Sequence, residues 1–127
     1  MDITPLVPEG RLIIEGYGNG GFRIAGTAHP GSRLVFPDRS EAWPVAHFDH
    51  VTEASLASVI AAGEAGTVEL LLLGCGRRLS PVPAPVRARL KDAGVGIEPM
   101  DTGAACRTYN VLMAEGRLVA AALIAVD

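Results

Sequence analysis

A nearly uninterrupted apolar run at residues 68–73, Val-Glu-Leu-Leu-Leu-Leu, restricts the fold of this chain more than any other segment. A strand with one face in solvent alternates apolar and polar residues, whereas a strand covered on both faces is apolar almost throughout. The run therefore predicts a central strand with other elements packed on both sides of its sheet.

The segments on either side of this strand alternate between helix and strand. Before it, Leu56, Val59 and Ile60 recur at helical spacing behind Thr52, which can cap a helix that ends at one of the next two glycines. After it, a helix introduced by prolines is stopped by Gly94. A strand, a helix and a strand then follow at residues 95–100, 104–114 and 118–125. This order predicts an α/β fold with right-handed crossovers between parallel strands.

The first half of the chain consists of short apolar segments separated by glycines and prolines. Strands are predicted at residues 11–15, 22–25 and 31–36. A brief edge segment is predicted at residues 42–45, since Pro44 cannot donate a hydrogen bond to a central ladder. This half is predicted to form an antiparallel β meander.

The composition is typical of one globular domain. Of the 127 residues, 49% are hydrophobic and 20% are charged. Residues 1–10, with two prolines and a glycine, are predicted to be a flexible N-terminal arm, and residues 11–127 a single domain. Such a core needs no metal or disulfide, and Cys75 and Cys106 have neither zinc-site spacing nor the number for a disulfide framework. We therefore predict no metal and no cofactor.

Charge and hydropathy exclude two classes of partner. The net charge of −3 and the scattered arginines argue against a nucleic-acid groove. The N-terminus lacks the basic and apolar regions of a targeting signal, and the longest apolar run, residues 118–126, is far shorter than the about 20 residues of a spanning helix. We expect a soluble cytoplasmic protein with reduced thiols that neither binds nucleic acid nor spans a membrane.

The glycine-rich segment at residues 16–21, Gly-Tyr-Gly-Asn-Gly-Gly, superficially resembles a nucleotide-binding loop. Such loops follow a strand and open a helix, whose N-terminus holds the phosphate. The residues that follow here are strand-like, so a hairpin or bulge with positive φ angles is the favoured interpretation.

The loop Gly74-Cys75-Gly76 follows the central strand directly and precedes a helix. Ligands of open α/β sheets bind at the carboxyl ends of the strands, where backbone N–H groups, Arg77 and Arg78 could meet an anion. The alternative is a tight turn followed by two solvated arginines.

The segment at residues 100–110, Met-Asp-Thr-Gly-Ala-Ala-Cys-Arg-Thr-Tyr-Asn, collects polar groups at the start of a helix. Asp101 or Thr102 can cap this helix, and Arg107 and Asn110 share one of its faces. A second face, an apolar stripe, is formed by Cys106, Tyr109 and Met113. The residues predicted from the two loops to bind a ligand are Gly74, Cys75, Gly76, Arg78, Thr102, Arg107, Thr108 and Asn110.

Cys106 has two interpretations. Near a helix N-terminus beside an arginine it would have a lowered pKa and could act as a nucleophile, whereas on the buried stripe it is an inert small hydrophobe, which is the commoner case. No histidine or acid stands at an obvious spacing to serve as its base. A redox pair with Cys75 is a third, minor possibility. Arg107 could bind an anion or be neutralised by Glu115 or Asp101 in a structural ion pair.

Several of these segments, in order over about residues 10–126, together resemble one family. They are Gly16-Tyr-Gly-x-Gly-Gly-Phe-Arg-Ile, Gly31-Ser-x-Leu, Trp43, the Leu-Leu-Gly-x-Gly loop, and the block from Met100 to Leu123. The family is a group of domains of unknown function with the Mth938-like fold. It includes bacterial proteins, the mitochondrial complex I assembly factor 3 and the adipogenesis-associated Mth938 domain-containing protein. The resemblance implies a three-layer β+α/β/α architecture with a mixed central sheet. Cys75 departs from it, because many relatives are expected to have Thr there, which weakens any mechanism that needs a hydroxyl.

The resemblance also implies a function, since the mitochondrial member acts as a non-catalytic assembly factor through protein contacts. The leading hypothesis is therefore a protein-binding or assembly factor, for a respiratory or other membrane complex, with an unidentified protein partner. An enzyme is less favoured because the chain has no evident acid–base constellation. The alternative is a small-anion ligand-binding or enzymatic protein with a pocket at the carboxyl edge of the sheet.

Overall fold

The computed structural model describes residues 10–127, so the predicted arm lies outside the described residues except for Gly10. Three strands form a small antiparallel sheet in the order β1-β2-β3. They are β1 (Ile14–Gly18), β2 (Gly21–Ile24) and β3 (Thr27–Pro30).

A larger, five-stranded sheet has the order β5-β4-β8-β6-β7. Its strands are β4 (Arg33–Phe36), β5 (Arg39–Ala42), β6 (Leu70–Gly74), β7 (Gly96–Met100) and β8 (Val119–Leu123). The strand β6 is parallel to β7 and to β8, whereas β4 is antiparallel to β5 and to β8. The predicted mixed α/β sheet is confirmed.

Helices cover both faces of this sheet. The helices are α1 (Ala57–Glu64), α2 (Ala84–Asp92) and α3 (Thr102–Ala114), and two short 3₁₀ turns, Phe48–His50 and Ala54–Leu56, precede α1. Leu71 and Leu73 of β6 pack in the apolar cluster that contains residues of α1 and α2. Leu72, between them, packs in the cluster of α3 and the small sheet. The apolar run at residues 68–73 therefore belongs to a strand covered on both faces, as predicted, and the layers are β+α/β/α.

The glycine-rich segment forms a hairpin, which was the favoured interpretation. Asn19 and Gly20 connect β1 to β2 with φ angles of 53° and 76°, as a two-residue turn of this hand requires. The bounds predicted for the first strand, residues 11–15, are wrong. The strand β1 begins at Ile14 and continues through Gly16 to Gly18, with a bulge between Ile14 and Gly16.

The first half also departs from a single meander. The strand β4 leaves the small sheet and pairs with β8, because Leu34, Val35 and Phe36 are all buried and need cover on both faces. The edge strand β5 ends at Ala42, the first residue of the segment predicted at 42–45. Trp43 instead turns into the core, where its indole N–H donates to the carbonyl oxygen of Ser55 at 2.7 Å. The short, largely exposed β3 was not predicted.

Candidate functional site

The loops that follow β6 and β7 are joined by direct hydrogen bonds at the carboxyl edge of the sheet. The backbone N–H of Cys75 donates to the carbonyl oxygen of Met100 at 2.8 Å, and that of Thr102 donates to the carbonyl oxygen of Gly76, also at 2.8 Å. The two loops are therefore within contact distance, as the small-anion hypothesis requires. Gly76 has a φ of +98°, which glycine adopts without strain.

Thr102 is the centre of this junction. Its hydroxyl accepts from the backbone N–H of Gly76 at 3.0 Å and donates to the carbonyl oxygen of Ile124 at 2.7 Å. Its side chain is completely buried. A Cβ at Gly74 would lie 3.1 Å from both the Cα and the hydroxyl of Thr102, so any side chain there would push these atoms apart by a few tenths of an ångström. Thr102, which follows β7, thus joins the chain segments that follow β6 and β8. Its hydroxyl already makes two hydrogen bonds within the fold.

The start of α3 is capped as predicted. The Asp101 carboxylate accepts from the backbone N–H of Ala104 at 2.9 Å, so the helix begins at Thr102, two residues earlier than expected. Cys106, Tyr109 and Met113 are buried, which confirms the apolar stripe.

Asn110 connects α3 to the small sheet. Its amide oxygen accepts from the backbone N–H of Ile14 at 2.9 Å, and its amide nitrogen donates to the carbonyl oxygen of the same residue at 2.7 Å. Asn110 therefore completes the hydrogen bonding of one residue of β1. Thr108 is half-buried on the same helix.

Arg107 lies on the exposed side of α3 and contacts Tyr17. Its guanidinium donates to the Tyr17 hydroxyl at 3.3 Å, and within residues 10–127 it has no carboxylate at ion-pair distance, including those of Glu115 and Asp101. The Tyr17 ring lies directly over Gly103, where any Cβ would overlap the hydroxyl and ring. Tyr17, which sequence reasoning did not select, therefore joins β1 to the start of α3.

Burial suppresses the reactivity of both thiols. Desolvation raises the pKa of Cys106 to about 12, and the opposing charge of Arg107 only partly offsets it. Desolvation also raises the pKa of Cys75, whose sulfur lies 3.5 Å from the carbonyl oxygen of Leu73. The thiolate is the nucleophilic form, so neither cysteine is activated at neutral pH. Both are free thiols and belong to different apolar clusters.

A concave surface lies beside the Gly74-Cys75-Gly76 loop. It has a volume of about 380 Å³, and its lining includes Cys75, Gly76, Arg77 and His47. The Arg77 guanidinium forms an exposed ion pair with Asp127 at 3.4 Å. Arg78 is exposed but does not line this surface, and neither do Arg107, Thr108 and Asn110, which lie along α3. The predicted ligand residues therefore do not share one surface: Cys75 and Gly76 line the concave surface, whereas Arg107, Thr108 and Asn110 lie along α3. That any of them binds a ligand stays a prediction.

The described part of the chain has neither a metal-binding cluster nor a helix suited to crossing a membrane. Residues 10–127 contain no group of three or more His, Cys, Asp or Glu side chains placed to hold a metal ion. None of the helices there has the length and apolar character to cross a membrane.

The layered architecture is that of a Mth938-like domain. A Bordetella pertussis protein described as such a domain superposes with a TM-score of 0.83 at 28% identity, over 98% of this chain and 92% of that one. A family model described as "Protein of unknown function (DUF498/DUF598)" matches residues 14–124. The chain belongs to this family.

Two relatives illustrate the range of the family. A Rhodobacter capsulatus protein described as uncharacterized is 44% identical over 91% of this chain and 86% of its own length. The NADH dehydrogenase [ubiquinone] 1 alpha subcomplex assembly factor 3 of Danio rerio is 36% identical over 88% of this chain. The match covers 63% of the length of that assembly factor, so more than a third of the assembly factor lies outside the region that matches this chain.

Proposed function

We propose that this protein is a non-catalytic binding protein that assists the assembly of a protein complex, with a respiratory or other membrane complex as the first candidate and the cytoplasmic side as its place of action. The observation that carries the proposal is the 36% identity, over 88% of this chain, with a protein named as an assembly factor of NADH dehydrogenase. The cysteines support the non-catalytic part of this proposal. Burial raises the pKa of both thiols, which keeps them in the protonated, weakly nucleophilic form.

The proposed contact surface consists of Tyr17, Arg107 and Val111, and we call it the α3 face. Tyr17 and Val111 are 46% and 55% exposed, which is high for large apolar side chains. Arg107 lies one helical turn before Val111 and donates to the Tyr17 hydroxyl. Tyrosine and arginine are the residue types that contribute most to protein–protein binding energy.

The backbone that carries the α3 face is fixed before a partner arrives. Asn110 holds β1 against α3 through its two hydrogen bonds to Ile14. The Tyr17 side chain packs on Gly103, and its hydroxyl accepts a hydrogen bond from Arg107, so part of its side-chain freedom is already lost before binding. A partner would meet an aromatic ring, a guanidinium and an aliphatic side chain.

The test is co-purification under native conditions, from detergent-solubilised membranes and from the soluble fraction, with Val111→Asp as the test variant. Leu79→Asp is the matched control, because Leu79 is another exposed large apolar residue, at 63% exposure, in the loop after β6. We expect the wild type and Leu79→Asp to recover the same discrete partner and Val111→Asp to lose most of it. No partner with the wild type, or equal recovery with both variants, would contradict the proposal.

A second candidate function is the binding of a small anion at the carboxyl edge of the sheet. It is favoured by one observation, the concave surface where Arg77 stands beside the Gly74-Cys75-Gly76 loop. The hydroxyl of Thr102 and the N–H of Gly76 bind each other, so Arg77 would be the main donor to an anion there. The anion would have to displace the Asp127 carboxylate, which lines the same surface and pairs with Arg77. Titration of ¹⁵N-labelled protein with inorganic phosphate tests this candidate. Saturable shifts at Gly76 and Arg77 are expected, and an unchanged spectrum at these residues would refute it.

A further inference from the structure

A second cavity lies at the opposite edge of the central sheet, where β6 and β8 begin. Its volume is about 290 Å³, close to the lower limit of small-molecule sites, which is roughly 300 Å³. Four turns of the chain meet there: the segment at Arg11, the β4–β5 turn, the α1–β6 turn and the α3–β8 turn. The hydrogen bond from the Leu12 N–H to the carbonyl oxygen of Pro37, at 2.8 Å, holds the first two together.

The charged side chains around this cavity are mainly cationic. Three arginines, Arg11, Arg39 and Arg117, line it, against a single carboxylate, Asp38. The guanidinium of Arg39 is 3.5 Å from that carboxylate and 3.8 Å from the centre of the Phe36 ring, so both contacts fix its position. Arg117 has no ion pair within the part of the chain that the structure describes. The lining therefore carries an excess of two positive charges.

Most of the remaining side chains in the lining are apolar and fit an organic body. Val68, Met113 and Leu118 contribute to the wall, and the Phe36 ring lies beneath the Arg39 guanidinium. The combination of aliphatic and aromatic surface with a few charged groups is typical of a small-molecule site.

Tyr109 lies on α3 one helical turn before Met113, which lines the cavity. Its side chain is fully buried, and its hydroxyl is a buried side-chain polar atom without a hydrogen-bond partner in the described residues. Burial raises the pKa of this hydroxyl, and the charges of Arg11 and Asp38 have smaller, opposing effects on it. The hydroxyl does not itself line the cavity, so the contacts to a ligand come from the arginines and the apolar wall.

The helices α1 and α3 end at this edge of the sheet, and the negative ends of their dipoles would repel an anion. This repulsion is weakened by hydrogen bonds to their last carbonyl groups. The last carbonyl groups of α3 already accept from the N–H groups of Gly116 and Arg117, and those of α1 accept from Gly66 and Thr67. The partial negative charge of a helix C-terminus resides on carbonyl groups without such partners. Full guanidinium charges therefore dominate the field in the cavity.

We infer that this cavity is a binding site for a small organic anion, with a carboxylate or phosphate group held by Arg11 and Arg117 and an apolar body of about one ring against Met113 and Leu118. The site is separate from the α3 face and from the carboxyl edge, and it does not depend on the proposed assembly function.

The experiment is a titration of the ¹⁵N-labelled protein with phenyl phosphate and with benzoate at constant ionic strength, followed through backbone amide shifts. Both probes carry one ring and one anionic group. We expect saturable shifts at Gly66, Gly116 and Arg117 with at least one of them. Arg117→Gln is expected to weaken that probe about tenfold, the loss of one charge-assisted contact. Arg78→Gln, an exposed arginine at the other edge, is the matched control and should leave the affinity within about twofold.

Three results would overturn the inference. The first is the absence of saturable shifts with either probe at millimolar concentration. The second is equal binding by the wild type and Arg117→Gln, and the third is saturable shifts confined to Gly76 and Arg77, which would favour the carboxyl edge instead. Because both substitutions leave the hydrogen bonds of the fold intact, a loss of binding with an unchanged spectrum elsewhere reports on the site and not on folding.

Discussion

Replacing Thr102 by Val tests whether the carboxyl edge of the sheet is held together by one hydroxyl. Valine has the shape of threonine, so the change removes hydrogen bonds and leaves no cavity. The hydroxyl accepts from the Gly76 N–H at 3.0 Å and donates to the Ile124 carbonyl oxygen at 2.7 Å, and both contacts are buried. The substitution therefore leaves one buried donor and one buried acceptor without a partner.

The expected cost follows from these two groups. A buried polar group without a partner costs about 1–3 kcal/mol, so we expect the free energy of unfolding to fall by about 2–4 kcal/mol. At an unfolding entropy of about 2.1 cal/mol/K per residue, this lowers the Tm by roughly 7–15 °C. Urea unfolding followed by circular dichroism measures the free energy, and calorimetry the Tm.

Two variants make this prediction specific. Thr102→Ser keeps the hydroxyl and should lose less than about 1.5 kcal/mol, since it removes only a methyl group. Thr108→Val makes the same chemical change at a half-buried position of the same helix, where we expect a change within about 0.5 kcal/mol. Equal stability of Thr102→Val and Thr108→Val would mean that the Thr102 hydroxyl does not hold the carboxyl edge together.

Three further predictions concern the neighbouring side chains. Asn110→Ala removes both hydrogen bonds to Ile14 and should lower the free energy of unfolding, measured by urea titration, by about 2 kcal/mol. The Ile14 amide should also lose its protection from hydrogen exchange, which identifies the contact that is lost. Tyr109→Phe removes a buried hydroxyl without a partner and should leave stability in the absence of ligand unchanged or raised by up to about 1 kcal/mol; a large loss would mean that the hydroxyl is bonded. The pKa of Cys106 rises from 9.0 to about 12 on folding, so its contribution to stability is complete below pH 9 and is lost as pH rises towards 12. Cys106→Ala should reduce this alkaline loss in unfolding titrations, and native Cys106 should resist iodoacetamide at pH 8 until urea unfolds the chain.

Local patterns in the sequence predicted the elements whose burial is continuous or strictly periodic. The run at residues 68–73 could only be a covered strand, and Leu71, Leu72 and Leu73 do pack alternately on the two faces of the sheet. The helical spacing of Cys106, Tyr109 and Met113 likewise placed the thiol on the buried face of α3. In both cases the burial of each residue follows from its neighbours in sequence.

Contacts between distant segments could not be predicted in this way. Leu34 pairs with Ala122 of β8 because β4 needs cover on both faces, and nothing near residue 34 specifies that partner. The same applies to the candidate site. Tyr17 and Arg107 are 90 residues apart in sequence, and only the docking of β1 on α3 brings them together. Gly103 was a visible signal of a close approach, but the sequence did not say what approaches it.

Site-specific photo-crosslinking in living cells tests whether the α3 face binds a protein. A photoactivatable amino acid at position 111 would stand on the α3 face, and the same amino acid at position 79 would stand on another exposed surface, in the loop after β6. We expect a discrete crosslinked protein from position 111 and none of it from position 79. If position 111 gives no crosslink, or if both positions give the same products, the α3 face is not the binding surface.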